Sequence, residues 1–139
     1  DCLLSRGLGD VYKRQHKMAR ILIVDDSPTE TFRFREILTK HGFEVIEASN
    51  GADGVTMAQA EQPDLVLMDV VMPGVNGFQA TREISRGDNT KHIPVVIVST
   101  KDQATDRVWG KRQGARDYLT KPIEESQLID VIKQHLNLE

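Results

Sequence analysis

The chain has 139 residues, a formal net charge of −3 and 39% hydrophobic residues, which gives room for one domain and hardly for two. No apolar run approaches the roughly 20 residues that span a bilayer. The only cysteine is Cys2, which excludes a disulfide framework and a thiolate metal site and fits a reducing, cytoplasmic setting. Residues 1–17, DCLLSRGLGDVYKRQHK, sustain neither a helical nor a strand period and lack the apolar stretch of a signal peptide. They read as an extraneous or disordered leader, with 18–139 as the domain proper. The leader holds Arg6, Lys13, Arg14 and Lys17 against Asp1 and Asp10, a net +2, so the rest of the chain carries −5. That balance argues against a protein that binds nucleic acid by neutralising phosphates.

From Arg20 onward strands and helices are expected to alternate. ILIV (Ile21–Val24) is a short β-branched run and reads as the first strand. SPTETFRFREILTKHG opens a helix at Ser27 as cap, with Pro28 at the first helical position and Glu30 completing a capping box. Phe34, Ile37, Leu38 and His41 form its apolar face and Gly42 ends it. FEVIEAS (Phe43–Ser49) is the second strand, and a second helix follows Asn50. DLVLMD (Asp64–Asp69) is the third strand, after which Pro73-Gly74 and Asn76-Gly77 turn the chain into a third helix over Gly77–Ser85. IPVVIVS (Ile93–Ser99) is the fourth strand, Asp102–Gln113 the fourth helix, closed by Gly114, and DYLT (Asp117–Thr120) the fifth strand. EESQLIDVIKQHL supplies a fifth helix with Leu128, Ile129, Ile132 and Leu136 on one side. Unalternating apolar strands separated by helices predict an α/β fold, a doubly wound parallel sheet covered on both faces. One helix alone follows residue 121, too little for a DNA-reading helix–turn–helix module.

Ligands of such sheets sit beyond the carboxyl ends of the strands. The first strand ends in Asp25-Asp26, the third in Asp69, the fourth in Ser99-Thr100 and the fifth in Thr120-Lys121-Pro122. Three carboxylates gathered there repel unless a cation joins them, and an all-oxygen set suits Mg²⁺. With Lys121 as a second positive charge, the edge favours a phosphoryl group. Asp25-Asp26 could instead simply cap the helix, Ser99 could be an ordinary strand-end hydroxyl, Lys121 a solvated lysine and Tyr118 a half-buried strand aromatic.

ILIVDDS, DLVLMDVVMPGVNG, IPVVIVST and GARDYLTKP, in this order and spacing from residue 20 to about 137, resemble a response-regulator receiver domain, the chemotaxis-regulator-like family of two-component signalling. The resemblance implies a flavodoxin-like (βα)5 fold with strand order 2-1-3-4-5. It implies that Asp69 is the phosphoacceptor for a histidine kinase. Asp25, Asp26, the Asp69 carboxylate and the backbone carbonyl of Val71 would hold Mg²⁺. Ser99 would be the switch hydroxyl, Tyr118 the aromatic that rotates inward on activation, and Lys121 the phosphoryl partner, with a cis Lys121–Pro122 peptide. STKDQATDRVWGKRQGARDYLTKP (Ser99–Pro122), with FQATREI (Phe78–Ile84), is further similar to the stand-alone, PilH-type receivers of twitching-motility systems. A monomer that signals to a downstream protein, without binding DNA or membrane, is the expected form.

Val71 offers no polar side chain to orient water at an acyl phosphate, and Lys101 is cationic, so a long-lived phosphoryl group is expected. Trp109 lies beside Val108 on the fourth helix and both cannot face the sheet. Arg107, Trp109, Lys111 and Arg112, with the fifth strand and helix, are therefore a candidate partner surface; packing of Trp109 on a neighbouring helix is the alternative. Gly110 weakens that helix by about 1 kcal/mol relative to alanine. An aspartyl-nucleophile phosphatase would want an acid two residues after the nucleophile, where Val71 and Ser27 stand. A phosphate sink for a shared kinase, or an interaction module that works without phosphorylation, are the other readings.

Overall fold

A computed structural model describes residues 19–71 and 76–137; the expected leader, Cys2 and the Pro73-Gly74 turn lie outside them. Among the described residues, strands and helices alternate: β1 (Arg20–Val24), α1 (Pro28–Lys40), β2 (Glu44–Ala48), α2 (Gly51–Glu61), β3 (Leu65–Met68), α3 (Gly77–Arg86), β4 (Val95–Ser99), α4 (Ala104–Arg112), β5 (Asp117–Thr120) and α5 (Glu125–Leu136). All the strands pair in parallel, in the order β2-β1-β3-β4-β5.

Local chemistry starts the first three helices where the sequence predicts, although the Ser27 N–H goes to Asp25 rather than to the Glu30 side chain of the expected capping box, and α4 begins at Ala104, two residues later than expected. The Ser27 hydroxyl accepts the Glu30 N–H at 3.3 Å, Asn50 Oδ1 accepts that of Asp53 at 2.8 Å and Asn76 Oδ1 that of Gln79 at 2.9 Å. Each satisfies one of the amides that a helix start leaves without a partner. β4 starts two residues later than expected, because Pro94 has no N–H for the ladder; its carbonyl still accepts the Val66 N–H. His41 departs from the expected apolar face of α1. It is the exposed C-cap, and its imidazole Nε2 lies 2.7 Å from Glu125 Oε2.

The two faces of the sheet bury different layers. Ile21, Ile23, Leu65, Leu67, Val96, Val98 and Leu119 pack against Phe34, Ile37 and Leu38 of α1 and Leu128, Ile129 and Ile132 of α5. Leu22, Val24, Val66, Met68 and Val95 pack against Val55 and Ala58 of α2 and Ala80 and Ile84 of α3. Burying each Val, Leu, Ile, Met or Phe side chain among these contributes about 1.5–3 kcal/mol. Ile97 and Tyr118 face a smaller layer under α4, with Val70 and Ala115. No helix among the described residues is long and apolar enough to cross a membrane.

Candidate functional site at the carboxyl edge of the sheet

Register and alternation assemble the site. β1 and β3 run in step to Val24 and Met68, and the Asp69 N–H donates to the Val24 carbonyl at 2.9 Å, so Asp25 and Asp69 leave the sheet side by side. Residues 21, 23, 65, 67 and 119 face the α1–α5 layer. Continuing that alternation turns Asp25, Asp69 and Lys121 to the same side.

Carboxylate oxygens of Asp25, Asp26 and Asp69 lie within 4.8 Å of one another, Asp25 and Asp69 buried and Asp26 exposed. Asp25 is held from two directions. Its Oδ1 accepts the Ser27 N–H at 2.9 Å, and its Oδ2 lies 2.9 Å from Lys121 Nζ. The ammonium also stands 3.8 Å from Glu30 and over the Phe34 ring, 5.9 Å from its centroid. Asp69 Oδ1 accepts the Val71 N–H at 3.2 Å. Burial pushes the Asp69 carboxyl above the ordinary aspartate value; the Lys121 charge and the Val71 N–H oppose that, and Asp25 and Asp26 add to it. An anion so placed gains from any cation that arrives. The donor set, oxygen throughout, is chemically matched to a hard divalent ion such as Mg²⁺.

Gly77 lies directly behind Asp69. A Cβ there would stand 2.1 Å from the Asp69 carbonyl oxygen and 2.5 Å from Val70 Cα, so α3 approaches β3 closely only because residue 77 has no side chain.

Ser99 and Tyr118 belong to the opposite, α4-facing side. Ser99 is fully buried, its hydroxyl accepting the Lys101 N–H at 3.1 Å. The Lys121 N–H donates to the Ser99 carbonyl at 2.8 Å. Tyr118 is 3% exposed, deeper than a half-buried strand aromatic, and its hydroxyl donates to the Lys101 carbonyl at 2.7 Å. Burial raises its phenol pKa. The Lys121–Pro122 peptide is cis, as the resemblance implies.

The four expected surface residues divide. Trp109 and Val108 are 50% and 54% exposed, so neither packs into the sheet. Together with Ala104, Thr105 and Arg112 they line an open groove of about 320 Å³. Lys111 is exposed as well. Arg107 is exposed too, but its guanidinium lies along β5, donating to the Tyr118 carbonyl and the Thr120 hydroxyl. That contact, the Lys121–Glu30 approach and the role of Gly77 escape the sequence reading. A glycine opening a helix just after the Asp69 strand is the one signal that pointed to any of them.

Residues 21–133 match the response regulator receiver domain, and the chain belongs to that family, a class of signalling proteins. Among its relatives is Protein PilH of Pseudomonas aeruginosa, 64% identical over 115 residues that cover 83% of this chain and 95% of PilH. Chemotaxis protein CheY of Bacillus subtilis is 37% identical over 119 residues, covering 85% of this chain and 98% of CheY. A solved receiver domain of a Pseudomonas aeruginosa sensor histidine kinase, with a magnesium ion coordinated in its active-site cleft, superposes with a TM-score of 0.81. It is 28% identical, and the match covers 86% of this chain and 98% of that one.

Proposed function

We propose that this chain is a stand-alone response regulator whose Asp69 accepts a phosphoryl group from a histidine kinase. The observation that carries the reading is the gathering of Asp25, Asp26 and Asp69 beside the Lys121 ammonium at one strand edge. A carboxylate oxygen of Asp69 attacks phosphorus in line, the phosphorus–nitrogen bond of the phosphohistidine breaks, and the imidazole leaves with the electron pair and takes up a proton. Asp25, Asp26, Asp69 and the Val71 carbonyl would hold Mg²⁺, which supplies neutralisation of the phosphoryl charge. Lys121 moves its hydrogen bond from Asp25 to a phosphoryl oxygen, and the Ser99 hydroxyl donates to another. Water later cleaves the acyl phosphate and restores Asp69. Val71, 49% exposed, leaves that water without a polar guide at the rim.

The signal is read by a protein partner on the α4, β5 and α5 side, where Arg107, Trp109, Lys111 and Arg112 are exposed. The PilH-type likeness supports a twitching or chemotaxis-like motility setting, with the protein acting as a cytoplasmic monomer without DNA or membrane contact. A phosphate sink shares every chemical step and differs only in lacking the partner. Titration with beryllofluoride and Mg²⁺, followed by Trp109 fluorescence, tests the reading. A saturable change that Asp69→Asn abolishes supports it; no change in either protein rejects it.

A further inference from the structure

Arg107 is on α4, yet its guanidinium reaches across to β5. It donates to the Tyr118 carbonyl at 3.1 Å and to the Thr120 hydroxyl at 2.6 Å, and lies 5.3 Å from the centroid of the Tyr118 ring. The helix approaches the same ring from Gly110, where a Cβ would come within 2.9 Å of Ile97 Cδ1 and 3.0 Å of Tyr118 Cδ2. Tyr118 is thus enclosed, with a guanidinium over its face and a glycine notch along its edge. Its hydroxyl donates to the Lys101 carbonyl, and the Lys101 N–H donates to the Ser99 hydroxyl. On the strand side Thr120 precedes Lys121, whose N–H donates to the Ser99 carbonyl. These contacts form a circuit from Ser99 through Lys101, Tyr118, Arg107 and Thr120 to Lys121, and Arg107 is its only member on α4.

We propose that Arg107 is a positioning residue for the phosphoryl site: it holds Tyr118 inward and thereby fixes the 99–101 segment and the Ser99 hydroxyl. This rests on the reading of Asp69 as the acceptor. The planar guanidinium holds its donors in a fixed fork that meets both acceptors beside the ring, a geometry that the point charge of an ammonium does not fix. Without it Tyr118 gains rotamers, Lys101 loses its hydroxyl donor, and ordering Ser99 around a phosphoryl group must be driven by binding itself. A partner on α4 would therefore meet an exposed Arg107 whose guanidinium is already committed to β5, beside exposed Lys111 and Arg112.

The test uses fluorotyrosine-labelled full-length chain in a Tyr12→Phe background, which leaves Tyr118 as the one reporter because the chain has 2 tyrosines. Fluorine NMR of the metal-free protein is expected to give a single resonance displaced from free fluorotyrosine. Arg107→Ala should move it toward the free value or broaden it. By Trp109 fluorescence, Arg107→Ala should bind beryllofluoride about fivefold to twentyfold more weakly at saturating Mg²⁺, with Mg²⁺ affinity changed less than about twofold and Arg107→Lys between the two. Should Arg107→Ala not fold, Thr120→Val, which removes one acceptor, carries the test with a smaller shift in the same direction. A wild-type resonance and affinity in the variant would overturn the proposal, as would a parallel loss of Mg²⁺ and beryllofluoride binding, the mark of general loosening. If the wild type binds no beryllofluoride, the Asp69 reading fails, while the metal-free resonance still decides the role of Arg107.

Discussion

Gly77→Ala puts a single methyl where β3 and α3 meet. The new Cβ would lie 2.1 Å from the Asp69 carbonyl oxygen, 2.5 Å from Val70 Cα and 2.7 Å from the Asp69 carbonyl carbon. All three are backbone atoms, so no rotamer can relieve the clash, and restoring contact distance requires a shift of about 1 Å. Both walls are tied. The Asp69 N–H is bonded to the Val24 carbonyl, while α3 is held on the sheet by buried Ala80 and Ile84, and its first turn is stiffened by the Asn76 cap and by Thr81 bonding the Gly77 carbonyl at 2.7 Å. Overpacking of this kind costs about 1–3 kcal/mol, and the better helix propensity of alanine returns at most about 1 kcal/mol. A net loss of about 1–2 kcal/mol in urea unfolding follows. The kinetic effect is larger, since a 1 Å misplacement of a reacting group can cost about a hundredfold in rate. Phosphorylation by a small acyl phosphate, followed by intact mass, measures it. Gly42→Ala is the control: Gly42 has φ +87 and nothing within 4 Å of a Cβ, so stability falls while the phosphorylation rate holds. A Gly77→Ala protein as stable and as fast as the wild type would refute the argument.

Lys121→Met leaves buried Asp25 without its cation (side chains 11% and 3% exposed) and should destabilise metal-free protein by about 3–5 kcal/mol in urea; adding Asp25→Asn should recover part of that loss. Glu125 has its carboxyl held below the ordinary value by His41 and Lys40. Its contribution is therefore full above the unfolded value near 4.5 and lost as pH falls through the lowered folded value. Melting curves of wild type and Glu125→Gln should thus differ above that point and converge in acid. Val71→Asn should speed phosphate loss about tenfold by orienting the attacking water; an unchanged lifetime would show that the apolar side chain at 71 does not slow hydrolysis.

The fold was legible because its signals are local. Unalternating runs such as Leu65–Met68 mark doubly covered strands, and Ser27, Asn50 and Asn76 mark helix starts. The acidic site followed from topology, since parallel strands deliver Asp25, Asp26, Asp69 and Lys121 to one edge. Distance in sequence hid the remaining contacts. Lys121 pairs with Asp25 across 96 positions, and nothing near either residue announces that partner. Arg107 is exposed as expected, but its bonds to β5 were hidden because helical periodicity gives the direction of a side chain and not its reach over a neighbouring strand. His41 had the right spacing for the buried face of α1, but the helix had already ended there. Trp109 beside Val108 posed a choice that periodicity could not make, and both residues remain at the surface.

The central claim is that Asp69 carries the phosphoryl group, and intact mass of the chain after incubation with a small acyl phosphate and Mg²⁺ tests it most directly. The account predicts a single added phosphoryl mass on the wild type, discharged by hydroxylamine as an acyl phosphate and absent from Asp69→Asn. An unmodified wild type, or an Asp69→Asn protein that gains the same mass, would contradict it.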